Sequence, residues 1–379
     1  MEKIKLDDLC VPSARQIKED PDKLIDYIDI ASVDNENKKV TGFQTMSFGE
    51  APSRARKAVK KGSILVSTVR PNLNAVAILE DDTPNVSVAS TGFCILNCKD
   101  NVDNRFVFNF CKSKAFIEDM VSQATGASYP AVSDNIVRSA LVPNYPYEEQ
   151  CHISEILDRV SSAIEKRKVE LAILDDLIKA RFVEMFANWK KKYLAEPLGE
   201  YLQDITYGFT NPMPDAEEGP WKITAKDVVN GIVNLDTARK TLQESYDKLT
   251  EKSKPQLGDV LLTKDGTLGR TAVVEIEGMC VNQSVAVLRI NEKILPKYLS
   301  ILLQMPKYQR DMIADAGGGT IKHIYITKVV KMPIVVPSIE EQNTFLDFVN
   351  QVDKSKVAVQ KALEQTQTLF DSLMQKYFG

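Results

Sequence analysis

The chain has 379 residues, 44% of them hydrophobic, 26% charged, with a net charge of −4. That is enough apolar material for two globular cores, and it excludes a disordered polymer. Without an apolar run of 18 residues, a membrane-spanning helix is excluded, and the charged start Met1-Glu2-Lys3-Ile4-Lys5 lacks the apolar core of a secretion signal.

Six cysteines (Cys10, Cys94, Cys98, Cys111, Cys151 and Cys280) form no C-x-x-C pair, and only His152 and His323 could add imidazole ligands. Reduced thiols in a cytoplasmic protein, with no metal site, are therefore expected.

In chain order, the first 145 or so residues mix short strands with turns. Gly62 precedes the apolar run Ile64-Leu65-Val66, and residues 105–123 carry a helical pattern. Between Ala51 and Pro71 lie six basic residues and no acidic one: Arg54, Arg56, Lys57, Lys60, Lys61 and Arg70. Such a run is either a solvated face or a contact surface for phosphates and base edges. Val142-Pro143 then marks an extended boundary, and residues 151–186 contain neither proline nor glycine.

The second half repeats this layout. Gly258-Asp259 precedes Val260-Leu261-Leu262, residues 297–314 read as helix, Val336-Pro337 marks a boundary, and residues 343–378 form a second stretch free of proline and glycine. Sliding the chain by 192 positions places Leu6 on Leu198, Asp8 on Glu200 and Phe93-Cys94-Ile95-Leu96 on Val285-Ala286-Val287-Leu288. The same offset places Phe106 on Tyr298, Phe116 on Tyr308, Asp119-Met120 on Asp311-Met312, Gly126 on Gly318, and Glu148-Glu149-Gln150 on Glu340-Glu341-Gln342. A period of this size is a duplicated domain, not a solenoid.

In the second long stretch Phe345, Val352, Val359, Thr366 and Leu373 lie seven apart, and the first follows with Ile153, Val160 and Leu174, broken at Arg167 and Arg181. Stripes this long cannot be covered by one small domain, so the two helices are expected to pair antiparallel. The fold class expected is thus α+β: two pseudo-symmetric globular domains joined by two long antiparallel coiled-coil helices. The expected segments are a first domain 1–147, a central helix 148–190, a second domain 191–338 and a C-terminal helix 339–379. Two unlike domains on a rigid spacer fit a reader of a split, asymmetric DNA site, whose half-sites lie roughly 34–36 Å apart per helical turn.

The runs Ala51-Pro52-Ser53-Arg54-Ala55-Arg56-Lys57 and Lys61-Gly62-Ser63-Ile64-Leu65-Val66-Ser67-Thr68-Val69-Arg70-Pro71-Asn72-Leu73 resemble the first target-recognition domain of type I restriction specificity subunits. Gly258-Asp259-Val260-Leu261-Leu262, Asn282-Gln283 and Gly317-Gly318-Gly319-Thr320 resemble the second, and the Val-Pro…Glu-Glu-Gln-helix signature resembles the family's spacer helices. Gly62-Ser63 departs from the family's usual Gly-Asp. The resemblance covers nearly the whole chain. It implies double-stranded DNA as ligand and two methyltransferase subunits as partners, which restriction subunits can join for ATP-driven translocation and cleavage.

Candidate DNA contacts in the first half are Arg54, Arg56, Lys57, Ser67, Thr68, Arg70 and Asn72, with Lys57 pointing away from the two arginines if the segment is extended, and Arg70 alternatively bracing its turn. In the second half they are Thr263, Lys264 and Arg270 around Asp265-Gly266-Thr267-Leu268-Gly269, with Lys226 and Gln283, while Tyr207 reads as packing. The glycines there fit either a phosphate-approach loop or a plain hairpin turn. Asn211-Pro212-Met213-Pro214 lacks the aromatic of a methyltransferase loop, Gly266-x-x-Gly269-Arg270-Thr271 lacks the lysine of a phosphate-binding loop, and two histidines, His152 and His323, leave few options for a catalytic base. No catalytic residue and no cofactor is expected. Two other readings stand beside this one: an adaptor pairing two protein partners, and a fused restriction–methylation enzyme. Salt-sensitive affinity for a split duplex separates the first from the DNA reader, and methyl transfer by the chain alone would identify the second.

Overall fold

The computed structural model describes residues 2–12, 16–186, 194–229, 231–314 and 322–379. By its contacts the chain divides into two units, Met1–Glu170 with Val359–Gly379, and Leu171–Ala358. This division cuts across the sequence-based segments, because each unit takes a part of both long helices.

In the first unit the strand Lys3–Lys5 pairs antiparallel with Leu141–Pro143 and leads into α1 (Leu6–Leu9). One sheet has the order Gln44–Ser47, Leu24–Ile28, Val86–Ser90, Ala55–Ala58. A second has the order Phe93–Leu96, Ile64–Ser67, Val76–Ile78, Lys39–Val40, Val33–Asp34. The unbroken apolar run Ile64-Leu65-Val66 has a physical cause. With side chains alternating between faces, Ile64 and Val66 enter one core cluster and Leu65 another, so both faces are dry.

The helical pattern at 105–123 resolves into two helices, α2 (Asn104–Lys112) and α3 (Lys114–Ser122). Asp103 caps α2 by accepting from the Arg105 and Phe106 amides, and extended Ser113 caps α3 by accepting from Phe116 N. Next come α4 (Asp134–Ser139) and α5 (Tyr147–Phe186), a 40-residue rod about 60 Å long at 1.5 Å per residue.

The second unit repeats the plan. The strand Glu196–Pro197 pairs with Pro333–Ile334, and Val260–Thr263 lies between Val285–Ile290 and Thr271–Val273. Val260 and Leu262 enter one cluster and Leu261 another, as in the first unit. Helix α6 (Gln243–Asp247) has no counterpart among the described residues; then follow α7 (Pro296–Gln304), α8 (Pro306–Ala314), α9 (Ile326–Lys331) and α10 (Ile339–Phe378). The starts of α7 to α10 each lie 192 positions after those of α2 to α5. Pro306, free to open a helix but not to continue one, breaks the second pair where Ser113 breaks the first.

Each unit also receives the end of the helix that begins in the other. In the first, Met374, Tyr377 and Phe378 at the end of α10 join the core of Phe106, Phe110, Ile153 and Leu157. In the second, Phe186 at the end of α5 joins Tyr298, Phe345 and Val349, its ring centroid 5.9 Å from those of Tyr298 and Phe345. In both units the start of one rod thus lies with the end of the other, which is the antiparallel pairing expected from the heptads. Arg181, out of place in the apolar seam, lays its guanidinium 5.6 Å from the Phe348 ring, and Lys356 bonds Asp175 at 2.6 Å.

Candidate nucleic-acid interface

In the first unit three turns converge. Thr68 N donates to Gly92 O (2.9 Å), Thr91 N to Arg54 O (2.8 Å), Arg70 N to Pro130 O (2.7 Å) and Val132 N to Thr68 O (2.9 Å). These bonds bring the ends of the strands Ile64–Ser67 and Ala55–Ala58 beside the loop 124–131.

The basic side chains around this junction divide by role. Arg54 is 56% exposed and bonds Asp29 at 2.6 Å. Arg56 lies with its guanidinium 5.0 Å from the Phe48 ring and donates to Ala55 O. Lys57, 14% exposed, turns inward instead, with Nζ 2.5 Å from Asp134 and 2.6 Å from Phe93 O. It holds α4 to the sheet, and a register shift between Ala55 and Lys57 accommodates the turn.

Arg70 adopts a left-handed backbone, φ 49°, which costs an ordinary residue about 1–2 kcal/mol and persists only where its surroundings enforce it. The Pro130 carbonyl does so from one side. From the other, the guanidinium lies 4.8 Å from the ring of Tyr129, itself 69% exposed. Asn72 and Leu73 are exposed on the next turn. Sequence reasoning missed Tyr129, although an aromatic next to proline in a glycine-containing loop was a visible signal.

The second unit builds a similar junction around Ser284. Its carbonyl accepts from Lys264 N (2.8 Å) and its hydroxyl from Ala225 N (3.2 Å), while Gln283 N donates to Phe209 O (2.8 Å). Exposed Lys226 and Gln283 are thereby brought to the turn that carries Lys264. Gly208 permits the close approach, since a Cβ there would stand 1.7 Å from Val281 O.

Lys264 Nζ donates to Asp265 at 2.8 Å and lies 5.4 Å from the Tyr207 ring, and Asp265 also bonds His323 Nδ1. Burial works against the Asp265 carboxylate, but the Lys264 and His323 bonds outweigh it and hold its pKa below the ordinary value. Tyr207, read from sequence as packing, is 49% exposed at the edge of a cleft of about 620 Å³ shared with Phe209, Asn211, Lys248 and Lys252.

The loop from Thr263 to Arg270 closes as a turn, with Gly269 N on Thr263 O and Thr263 N on Arg270 O, both 2.8 Å. Gln304 and Gln309 each clamp the Gly269 carbonyl at 2.8 Å, and Arg270 stands exposed beyond it.

Three expected contacts need correction. Thr263 is fully buried, its hydroxyl donating to Thr267 O and accepting from Arg270 N. The hydroxyls of buried Ser67 and Thr68 donate to Val69 O and Gly92 O. All three hydroxyls are engaged inside the turns instead of standing on the surface, because a hydroxyl at the end of a buried strand satisfies the nearest backbone group first. The expected Gly317-Gly318-Gly319-Thr320 element lies outside the described residues. Among the described residues no His, Cys, Asp and Glu cluster could hold a metal ion, and no helix is long and apolar enough to cross a membrane.

A duplicated α+β unit with paired long helices and basic, aromatic turn junctions defines a class of two-module recognition proteins. Residues 1–173 and 211–366 match the type I restriction modification DNA specificity domain, and the chain belongs to that family. It is 23% identical over 317 residues to the type I restriction enzyme EcoBI specificity subunit of Escherichia coli, covering 74% of this chain and 66% of the relative. Two solved structures share the fold across the whole chain: one from work on assembly and conformational transition of a type I restriction–modification system (TM-score 0.61, 22% identity, 97% of that chain), and the type I restriction–modification S subunit from M. genitalium (TM-score 0.55, 16% identity, 96% of that chain).

Proposed function

We propose that this chain is the DNA-reading specificity subunit of a type I restriction–modification complex, each unit reading one half of an asymmetric, split target. The observation that carries this reading is the duplicated turn junction. It presents Arg70, Asn72, Arg54 and Arg56 with Tyr129 in one unit, and Arg270, Lys226 and Gln283 with Tyr207 in the other, where Lys264 is held by Asp265. Guanidinium groups and amides suit guanine and adenine edges, and the ammonium groups suit phosphates. The two sets differ in sequence, so the two half-sites differ.

Two methyltransferase subunits are the proposed partners, one for each copy of the duplicated plan, with restriction and translocase subunits joining them. In the second unit Ile173 and Leu177 are exposed four residues apart on α5 and Val357 is exposed on α10, and in the first Val169 and Leu369 are exposed. Apolar side chains left in water on helices otherwise rich in charge suit a protein partner. Methyl transfer and cleavage are assigned to those partners.

The test is the methylation pattern of DNA in cells expressing this chain with its methyltransferase. A split motif with two unlike halves is expected. Binding that shows no preference over random DNA would leave an adaptor, and methyl transfer by the chain alone would make it an enzyme.

A further inference from the structure

We propose that Cys10 and Cys98 form an oxidisable dithiol, a reversible disulfide site that peroxides or disulfide-forming oxidants modify. The two residues face each other in an antiparallel bridge. Val11 N donates to Asn97 O at 2.9 Å on one side of them and Lys99 N to Leu9 O at 3.0 Å on the other. That pattern defines a non-hydrogen-bonded pair, the closer of the two antiparallel kinds, with Cα atoms about 4.5 Å apart. A disulfide spans about 4.4–6.8 Å, so the bond can form without moving either strand. The other cysteine of the nearby sheet, Cys94, stands opposite Val66.

The surroundings favour reaction at this pair. The Cys98 thiol donates to Cys10, and this bond, with the charges of Arg138 and Lys99, outweighs burial and the Asp7 carboxylate and brings the Cys10 thiol below its ordinary pKa, while the same pairing and burial push the Cys98 thiol well up and make it the resolving partner. Arg138 is itself buried, with Nε on Asp7, Nη2 on Val11 O at 2.6 Å and Nη1 lacking any hydrogen-bond partner. An unpaired donor on a buried cation costs stability in the reduced protein, and a thiolate nearby offsets that cost. Cys98 is half-buried and is the solvent-facing member of the pair, with Cys10 buried beside it. By contrast, burial pushes Cys94 up to about 12, Cys280 to about 11 and Cys111 well above its ordinary value.

With hydrogen peroxide, the Cys10 thiolate attacks one oxygen and the O–O bond breaks. The departing hydroxide takes up a proton as water, leaving a sulfenic acid on Cys10. The Cys98 sulfur then attacks the Cys10 sulfur, the S–O bond breaks, and the leaving hydroxide carries off the Cys98 proton as a second water. The two sulfurs lose two electrons in all and the peroxide gains them. A dithiol reductant reverses the bond by exchange. The product ties the exit of α1 to the exit of the strand Phe93–Leu96. Leu6 and Leu9 line the core that receives Phe378, so the bond stiffens that seat.

The experiment treats the full chain with peroxide or diamide, alkylates the remaining thiols and maps cysteines by mass spectrometry. Cys10 and Cys98 should escape alkylation together, in one cross-linked species two hydrogens lighter, while Cys94, Cys111, Cys151 and Cys280 stay alkylatable after unfolding. Dithiothreitol should restore both thiols, and the melting temperature of the first unit should rise on oxidation in the native chain but not in Cys98→Ser. The mapping uses the native sequence, so its outcome does not depend on how the variant folds. Cys10 and Cys98 still alkylatable after oxidation, or a cross-link through Cys94 or Cys151, overturns the proposal. So does a rise in melting temperature that survives Cys98→Ser.

Discussion

The ring of Phe378, in the last turn of the C-terminal helix, lies 5.2 Å from that of Phe106. Phe186 stands 192 positions earlier and meets Tyr298, 192 positions after Phe106, at 5.9 Å. Each half of the duplication thus closes its core with an aromatic carried by the other half's helix. Phe378→Ala should lower the stability of the first unit by about 3–5 kcal/mol, the usual cost of removing a buried phenylalanine. Phe186→Ala should do the same to the second. Hydrogen exchange resolved by unit measures this, and loss spread evenly over both units would contradict the assignment.

A second pair of equivalents makes an independent prediction. Gln150 accepts from Asp103 N (3.1 Å) and donates to Tyr145 O (2.8 Å), while Gln342 accepts from Leu295 N (2.8 Å) and donates to Lys293 O and Pro337 O (3.0 and 2.9 Å). Both amides are buried and fasten the start of a long helix to the start of the shorter one beside it. Gln342→Glu places a carboxylate oxygen against two carbonyls and should cost more than Gln342→Ala, itself about 1–3 kcal/mol through the groups left unbonded. Denaturant midpoints of the two variants give the order.

Lys112 carries a pH dependence. Burial, partly opposed by the charge of Asp158, brings its pKa from 10.5 down to about 8, although the ammonium lies 4.3 Å from the Phe108 ring. Below about 8 the side chain is charged in both folded and unfolded chains, and the burial penalty is complete. Between about 8 and 10.5 the folded chain sheds the proton first, so stability should rise with pH across that window. Lys112→Met should be more stable than the native chain at pH 7 and should flatten this rise. Thermal unfolding at a series of pH values checks both signs.

Arg70→Ala should weaken DNA recognition at one half-site by about 1–3 kcal/mol, about 5- to 150-fold, with the other half-site unaffected. Tyr129→Ala should produce a milder loss at the same half-site, because it frees the guanidinium without removing it. Arg270→Ala should act on the opposite half. Lys57→Ala belongs to a different class and should reduce stability by leaving Asp134 without its cation. Competition binding with duplexes altered in one half at a time distinguishes these outcomes.

The duplication and the rods are legible in the sequence because they depend on periodicity. A 192-residue offset and a seven-residue stripe survive even where identities are few, and the helix starts keep the offset throughout. The break at Ser113 is not legible, because serine interrupts a helix only when its hydroxyl caps the next one, whereas Pro306 is a visible breaker that the reading of 297–314 as one helix passes over. Side-chain roles are harder to read. Lys57 looks like Arg54 and Arg56 in a basic run, and only the approach of Asp134 from a distant helix turns it inward. Ser67, Thr68 and Thr263 mislead for a similar reason, since a hydroxyl at a strand exit bonds whichever carbonyl the tertiary turn supplies.

The exchange of helix ends also dictates an order of events during synthesis. Nascent chain emerging from the ribosome supplies nearly all of the first unit early, yet its core lacks Met374, Tyr377 and Phe378 until translation has passed through the second unit. The earliest module made is therefore the last to be sealed, and a prematurely terminated polypeptide would carry a half-built head with its aromatic socket open to chaperones and proteases.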